Sequence, residues 1–510
     1  MQGRTMAKVT RNVPRKTSDK QNPRAQSLMV LLVVLIYGQT LFFGFTDFDD
    51  YEMIVENAVL HQTPHRFSIA FTTDAWFRDA KIELYRPLQS LSYMVENALA
   101  GTRPAVYHTT NLFLFCCCSL LIFQLLLRIG FSNPLALAGA VLFSAHYQFV
   151  STVAWVPARG DLLLTLFVLL SFMAFLKYLS TTSKAWLAVH VLYFCCGLFS
   201  KETATILPVV VVIYAVTCAK VKIPWQDAAL TCVGYCIVVI PYLILRNTAI
   251  AHSYHSISTL GIIRSIPILL ESTAKFFYPI NISVMPFCTV LGTSAGAAIL
   301  GVLVFLVVRG GKGVVWPGVF GLLWYCGFHL PALIYRPVLS EYAYEYLDHR
   351  SYLPAIGLLI AVMGILRDRG FPSRRYAGIV YGGILLTVTA LSLYFVRYYR
   401  GPSSYVNQVI RTSPQSAFAW VLRGKLEVDA NDFAHARRDF DQALRLKPDF
   451  SRALTNRGML NFKTRRYEES VNDYRKALLV EGPNMEMYNS RNCSGLYEHD
   501  LLVGGVKALT

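Results

Sequence analysis

The sequence predicts an all-α protein that crosses a membrane about eleven times and then continues into a short domain of helical repeats. Of its 510 residues, 54% are hydrophobic and only 15% are charged, whereas a soluble protein of this size carries about a quarter charged residues. Apolar runs of about 18 residues or more recur through most of the chain, as membrane-spanning helices require. A repeated sequence pattern follows the last of these runs.

The first 27 residues are polar and basic and have no apolar period, which predicts a cytoplasmic basic tail. A full-length apolar run follows, so we expect a retained anchor and not a cleaved signal peptide. The net charge of +17 would suit nucleic acid. However, the basic residues lie at the ends of apolar runs, where they set orientation in a membrane. Membrane lipid, and no nucleic acid, is therefore the expected partner.

The connections between the predicted spans differ by side. Every second connection is short and carries almost only basic charges, such as Arg128, Lys220 and Arg309, as cytoplasmic loops do. This pattern places the N-terminus in the cytoplasm and everything after the last span on the outer or luminal face. The spans are expected roughly at 28–46, 110–129, 134–150, 161–179, 185–199, 203–219, 228–246, 290–308, 314–334, 352–366 and 376–397.

The first outer loop, residues 47–109, opens with three aspartates among aromatic residues, "GFTDFDDYEMI". A partly desolvated carboxylate at the lipid–water boundary has its pKa raised toward the range useful for a general base. Asp49 and Asp50 together would also suit Mg²⁺ or Mn²⁺. A simpler interpretation is that these aspartates cap a short helix beginning near Tyr51. Further along, Leu88 to Leu99 have the spacing of an amphipathic helix on the outer leaflet.

Charges of both signs collect on the outer side at the ends of several other spans. Taken singly, each basic residue there is more typical of an interfacial anchor than of a ligand group. Together, Arg and Lys side chains can clamp a phosphate, and a nearby carboxylate can accept a proton from an incoming hydroxyl. Sugar transfer from a lipid phosphate needs both. The candidate donor-binding residues are Arg86, His146, Arg159, Asp161, Lys201, Glu202, Arg246, Arg350 and Tyr352.

After the last span, residues 399–510 form a domain whose first two units repeat with a period of 34. Gly424 matches Gly458, and Phe440 matches Tyr474. This period, with small residues where paired helices touch, is the tetratricopeptide signature. The repeats are expected at 417–450 and 451–484, with a partial unit at 485–510. Repeats in such a small number are only marginally stable by themselves. We therefore expect them to pack against the membrane domain or a partner, and to hold an acceptor protein.

Six motifs carry a resemblance to a known family. They are "FDDYEMIVEN", "YRPLQSLSY", "YHTTN", "SAHYQFVSTVAWVPARGDLL", "FSKETA" and "HRSYLP". In this order the chain resembles the transmembrane and tetratricopeptide-repeat O-mannosyltransferases and, more loosely, bacterial multi-span GT-C glycosyltransferases. The resemblance runs from about Phe45 to the end of the repeats.

The resemblance implies a GT-C-like membrane domain over 28–398 and inverting transfer of mannose or a similar hexose. The donor would be a polyprenyl-phosphate sugar and the acceptor a protein Ser or Thr. The family's catalytic acidic pair falls on Asp49 and Asp50, of which we take Asp50 as the base and Asp49 as its electrostatic or metal-binding neighbour. Two positions depart from the family pattern, Tyr147 in place of Pro and His349 in place of Glu.

Other functions compete with this hypothesis. The acceptor could be a glycolipid or an envelope glycan. A transporter would carry charges near the bilayer midplane, whereas these charges lie at span ends. A non-enzymatic scaffold for the repeats would tolerate Asp50→Asn. The short repeat domain favours a bacterial cytoplasmic membrane, with the endoplasmic reticulum as the membrane if the source is eukaryotic.

Overall fold

The computed structural model describes residues 23–62, 66–76, 84–221, 223–250, 259–334, 344–369 and 373–481. Within these ranges the regular structure is helical and contains no β-strand. The predicted all-α class is therefore confirmed. The predictions for residues 1–22 of the basic tail and for the partial repeat at 485–510 lie outside the described residues, whereas residues 23–27, predicted as tail, belong to the first helix.

The α-helices of the described ranges are numbered here in chain order. They are α1 (Pro23–Tyr37), α2 (Ala58–Gln62), α3 (Pro87–Ala100), α4 (Pro104–Arg128), α5 (Asn133–Ser144), α6 (Val150–Ala154), α7 (Arg159–Thr181), α8 (Lys184–Ser200), α9 (Leu207–Tyr214), α10 (Trp225–Ala249), α11 (Thr259–Phe277), α12 (Val290–Val308), α13 (Lys312–Ile334), α14 (Tyr352–Arg369), α15 (Arg374–Phe395), α16 (Pro402–Thr412), α17 (Ala417–Asp429), α18 (Phe433–Leu446), α19 (Ser451–Lys463) and α20 (Tyr467–Glu481).

Nine helical stretches in the described ranges are long and apolar enough to cross a membrane. A tenth candidate is the bent pair Asn133–Ser144 and Tyr147–Ala154, whose two halves meet at 50°. The predicted span at 185–199 corresponds to α8, an apolar helix of 17 residues. By length and composition the count is therefore nine or ten, against about eleven from the sequence. The membrane class is confirmed.

The helix α11 was not expected, because the sequence analysis left residues 247–289 as an outer connection. It has 19 residues, but Arg264, Glu271 and Lys275 interrupt its apolar period, so it does not have the composition of a span. Its inner face packs closely on α12, where the Cα of Gly296 approaches the backbone of Leu270 so tightly that no Cβ would fit. This helix, which carries both apolar and charged residues, is therefore part of the packed core of this region.

The connection predicted as the first outer loop contains a helix, α3, where the amphipathic helix was expected. Pro87 occupies its first turn, where a missing N–H costs nothing, and Arg86 precedes it. Val95 and Leu99 on one face are 40% and 80% exposed, whereas Tyr93 and Met94 on the other join an apolar cluster. The helix therefore buries one side and exposes the other; the position of its exposed apolar residues on the outer leaflet stays a prediction.

The chain divides into two compact units. The first contains Met1–Ile282, Cys288–Arg336 and Leu347–Gly401. The second contains Pro402–Thr510 together with Ser283–Phe287 and Pro337–Tyr346, two segments that come from between spans. Inside the second unit, Thr412 Oγ1 donates to Ser283 Oγ over 2.7 Å, and Ser413 Oγ donates to the Met285 carbonyl over 2.9 Å. The end of α16 and the residue after it, which precede the first repeat helix, are thus bonded to the segment Ser283–Phe287.

The repeat domain shows the close helix pairing that its sequence predicts. A Cβ at Gly424 would lie 2.5 Å from Phe440, and one at Gly458 would lie 3.2 Å from Tyr474. Both glycines therefore allow the aromatic ring of the second helix to reach the backbone of the first. The ion pairs repeat with the same register, since Arg423 binds Asp439 in the first unit as Arg457 binds Asp473 in the second.

We expect Arg457→Ala to loosen the second repeat. Arg457 forms two hydrogen bonds to Asp473, whose side chain is 3% exposed, and a third to Asp441 of the preceding repeat. Losing charged hydrogen bonds to a buried carboxylate costs about 2–3 kcal/mol. Hydrogen exchange in the intact chain should therefore quicken in α19 and α20, while the exposed control Arg438→Ala leaves it unchanged. Equal exchange in both variants would contradict a structural role for this ion pair.

Candidate active site

The acid turn, residues 44–50, follows the first span and holds Asp50 by its own backbone. Asp50 is 1% exposed. Its carboxylate accepts hydrogen bonds from the Thr46 amide at 2.7 Å, the Thr46 hydroxyl at 3.0 Å and the Phe48 amide at 3.2 Å. A helical turn begins at Tyr51, as the capping interpretation expects, but the Asp50 side chain makes no cap hydrogen bond to it. The carboxylate therefore closes the acid turn instead of capping the helix.

The environment of Asp50 favours its protonated form more than water does. Burial raises the pKa of Asp50 to about 6, and the nearby charge of Asp47 acts in the same direction. The hydrogen bonds from Thr46 and Phe48 oppose this change. A carboxylate with such a pKa is mostly ionised at neutral pH, yet binds a proton more readily than an exposed aspartate, which suits a general base.

An open cleft, whose empty volume of about 440 Å³ includes open solvent, brings together charged residues from distant parts of the sequence. Three of its lining residues are cationic, namely Arg86, Lys201 and Arg350, and each lies at the end of a different helix. Its other lining residues are Asp161, Leu164, Glu202, Thr203, Phe328, Pro331, Ala332, Leu353 and Pro354. The cleft therefore combines cations for a phosphate with an apolar wall from α13 and α14.

Two ion pairs hold the charged side of the cleft. Lys201 Nζ donates to both oxygens of Asp161 over 2.8 Å, and both side chains are less than a tenth exposed. Arg86 Nη2 donates to Glu202 over 3.1 Å. These pairs join "YRPLQ", "ARGD" and "FSKETA", which the sequence analysis had grouped only as outer-face charges. One arginine, Arg350, adds a further positive charge to the same cleft.

Aromatic contacts connect the acid turn with the cleft. The ring of Phe48 stacks on Trp155 with centroids 5.8 Å apart, and Trp155 contacts the His349 ring at 5.1 Å. His349 Nε2 lies 3.8 Å from Asp161 Oδ2. His349 also directly precedes Arg350 in the chain. The base candidate and the cations are therefore linked through three packed side chains.

Arg159 has a different setting from the one predicted. It is fully buried, and its guanidinium donates to Asn111 Oδ1, to the Ser92 hydroxyl, to Glu96 and to the Tyr107 carbonyl. Because its donors are used within the protein, it fits a structural cation better than a donor-binding group. The next residue, Gly160, leaves space for Gln89, whose Oε1 would be 2.5 Å from a Cβ there.

His146 is likewise committed to the protein. Its Nε2 donates to the Phe276 carbonyl over 3.1 Å, and its Nδ1 accepts from the Gln148 amide over 3.3 Å. The adjacent Tyr147, at one of the positions that depart from the family pattern, donates its hydroxyl to the Lys275 carbonyl. The bend between α5 and α6 thus binds the C-terminal end of α11, and His146 serves this contact.

Two further candidates lie away from the cleft lining. Tyr352 is fully buried and packs against Phe115, Phe143 and Phe149, with ring centroids 5.2–5.6 Å apart. It is a core residue in this structure. Arg246 lies in the last turn of α10 and is half-buried. Their proposed contact with the donor stays a prediction.

Sequence reasoning did not identify two charged residues of this region. Glu96 on α3 pairs with Arg159, and Lys275 on α11 binds both oxygens of Asp348 over 2.9–3.0 Å. Lys275 is 1% exposed. Two sequence signals could have identified them. Ser92 and Glu96 have the spacing of one helix face, and Lys275 is a lone lysine within an apolar period.

The acid turn fits a divalent metal poorly. Both oxygens of Asp50 already accept hydrogen bonds from the acid turn. Among the described residues, no group of three or more His, Cys, Asp or Glu side chains is arranged to hold a metal ion. Asp49 is half-buried beside Asp50, and its proposed metal-binding role stays a prediction. We derive no step through a metal.

Comparison with known proteins supports both the repeats and the resemblance. A tetratricopeptide-repeat family model matches residues 421–486. The chain is 28% identical over 194 residues to the mouse protein O-mannosyl-transferase TMTC1. The aligned region covers 35% of this chain and 20% of the relative. It is 29% identical over 161 residues to human TMTC3, covering 31% and 17%. It is 31% identical over 185 residues to fruit-fly Tmtc2, covering 34% and 19%.

The match thus spans about a fifth of the length of these relatives. No solved structure matches the chain. The resemblance inferred from the six motifs is confirmed at the level of similarity: the chain is similar, over about a third of its length, to protein O-mannosyl-transferases of the TMTC type and carries tetratricopeptide repeats.

Proposed function

We propose that this chain is an integral-membrane glycosyltransferase that moves mannose or a similar hexose from a polyprenyl-phosphate carrier to Ser or Thr hydroxyls of a protein. The observation that carries the proposal is the cleft in which Arg86, Lys201 and Arg350 converge beside an apolar wall. A phosphate ester of a long apolar alcohol needs both surfaces at once. The similarity to protein O-mannosyl-transferases supports a mannosyl donor and a protein acceptor.

The reaction assigns one role to each part of the site. Asp50 takes the proton of the acceptor hydroxyl as its oxygen bonds to the anomeric carbon of the sugar. The bond between that carbon and the phosphate oxygen breaks, so that polyprenyl phosphate leaves and the configuration inverts. Arg86, Lys201 and Arg350 stabilise the charge that the departing phosphate gains. Because Asp50 is 1% exposed, the acid turn has to open toward the acceptor during each cycle.

The remaining groups support these steps. Asp161 and Glu202 orient Lys201 and Arg86 through the ion pairs of the cleft. Asp49 adds negative charge beside Asp50, which favours proton uptake. The repeats, on the outer or luminal face, would hold the acceptor polypeptide. The three relatives named above are animal proteins, which favours the endoplasmic reticulum over the bacterial membrane that the short repeat domain suggested.

The proposal is tested with membranes that carry the chain and with membranes that lack it. Each is given radiolabelled polyprenyl-phosphate mannose, glucose or galactose, and the products are separated into protein and lipid fractions. Label in the protein fraction from one of these donors supports the proposal. Label only in glycolipid or glycan would change the acceptor class. No transfer by well-folded protein would contradict a glycosyltransferase.

Transfer should depend on pH with an acidic limb near 6. Asp50 acts as a base only when ionised, and burial raises its pKa to about 6. The kcat/KM should therefore fall about tenfold per pH unit below that value and level off above it. The measurement is the initial transfer rate from pH 4.5 to 8, with thermal unfolding measured at each pH as a control. A limb near pH 4 would contradict a desolvated base.

A further inference from the structure

The indole N–H of Trp155 has no hydrogen-bond partner among the described residues, although it is completely buried. The whole side chain is 3% exposed. Thr152, three residues earlier, is fully buried, and its hydroxyl also lacks a partner in the described chain. A buried polar group without a partner costs about 1–3 kcal/mol. Similar groups occur elsewhere in the described chain, so we infer a bound molecule at Trp155 from its surroundings as well as from the missing partner.

Trp155 lies between the two halves of the candidate active site. One side of its ring system contacts Phe48 of the acid turn, and it also contacts His349, the neighbour of Arg350. In a sugar phosphate, the anomeric carbon is one oxygen atom away from phosphorus. In the proposed binding mode the phosphate binds Arg350 and Lys201, and the sugar lies toward His349, which contacts Trp155 behind the cleft lining.

A buried network fixes the turn that carries Trp155. Asn111 Nδ2 donates to the carbonyls of Val153, Trp155 and Val156 at 3.3–3.4 Å. Asn111 Oδ1 in turn accepts from Arg159 Nε over 2.8 Å. Arg159, which the sequence analysis assigned to donor binding, thus acts on this position through the backbone. A turn held so firmly presents the indole edge in a defined direction.

We propose that Trp155 is a sugar-binding residue whose Nε1–H donates a hydrogen bond to a hydroxyl of the transferred hexose. This inference rests on the proposed function and names the residue that recognises the sugar. Arg159 and Asn111 are positioning residues for it. The bond orients the anomeric carbon between the departing phosphate and Asp50.

The test compares Trp155→Phe with wild type in full-length protein, using polyprenyl-phosphate mannose as the donor. Phe keeps an aromatic ring against Phe48 and removes the N–H donor together with part of the volume of the indole. We expect kcat/KM to fall about threefold to tenfold, as the loss of one neutral hydrogen bond predicts. The melting temperature should fall somewhat, because the smaller ring leaves a gap in a buried position. Trp155→His, which retains an N–H, should recover part of the activity.

Donors that lack single hydroxyls identify the bond. With the donor that lacks the hydroxyl bound by Trp155, wild type and Trp155→Phe should react at the same rate. With the other monodeoxy mannose donors, wild type should remain faster than Trp155→Phe. Trp186→Phe, in the first turn of α8, serves as the matched control and should leave kcat/KM unchanged.

Two results would overturn the inference alone. One is an unchanged kcat/KM in Trp155→Phe while wild type transfers sugar. The other is a rate difference between wild type and Trp155→Phe that persists with every monodeoxy mannose donor, which would show that no hydroxyl of the sugar accepts this hydrogen bond. Absence of transfer by wild type would instead refute the proposed function, and the inference with it.

Discussion

Asp50→Asn should lower the rate of sugar transfer about a thousandfold, within the 10²- to 10⁴-fold range that general-base catalysis contributes. The amide has the size of the carboxylate but only one acceptor oxygen, so it keeps one of the two backbone hydrogen bonds of the acid turn, and it cannot accept a proton from the acceptor hydroxyl. The fold should persist, because burial already disfavours the charged carboxylate. The measurement is kcat at saturating donor and acceptor, with the melting temperature of each protein.

Asp74→Asn is a matched control for this substitution. Asp74 is also 1% exposed and lies in the same outer loop, where it accepts a hydrogen bond from the Trp76 amide. It has no place in the proposed chemistry, so its variant should transfer sugar at close to the wild-type rate. Similar losses in both variants, together with lower melting temperatures, would mean that Asp50 acts only in the structure.

Lys201→Met should have two separable effects. Removing a cation that faces the departing phosphate should cost about 10²- to 10³-fold in kcat, as the loss of a preorganised charge-stabilising group does elsewhere. It also leaves Asp161 buried without its ion-pair partner, which should cost about 3–5 kcal/mol of stability. The measurements are kcat and thermal unfolding of the purified chain in detergent.

The double variant Lys201→Met/Asp161→Leu separates these effects. Replacing both members of a buried ion pair by apolar residues is often neutral for stability. The double variant should therefore melt near the wild-type temperature and remain inactive. Recovery of transfer together with stability would contradict a role of Lys201 in binding the donor phosphate.

The sequence supplied the architecture because its signals are periodic. Apolar runs located the spans, and the 34-residue period located the repeats, down to the glycines that let Phe440 and Tyr474 approach the preceding helix. Local composition also indicated which helix ends carry charge on the outer side. These features depend on residues that are close together in the sequence, so they can be predicted from the sequence directly.

The pairing of the charges could not be read in this way. Asp161 binds Lys201 across 40 positions, whereas Arg159, only two residues earlier, points into a network with Glu96 and Asn111. On a helix, residues two apart face different directions, so one motif serves both the cleft and the core. Lys275 was not identified because the charged residues of α11 interrupt its apolar run. A search for apolar runs therefore does not detect this helix. These contacts are set by tertiary packing.

The central claim is most directly tested by purified full-length protein in liposomes. The liposomes receive polyprenyl-phosphate [³H]mannose and peptides that contain Ser and Thr, and Asp50→Asn is assayed in parallel. We predict label that is bound to peptide, released by β-elimination and inverted in anomeric configuration, with about a thousandfold less from the variant. Retained configuration, equal transfer by Asp50→Asn, or no label from folded wild-type protein would contradict the account.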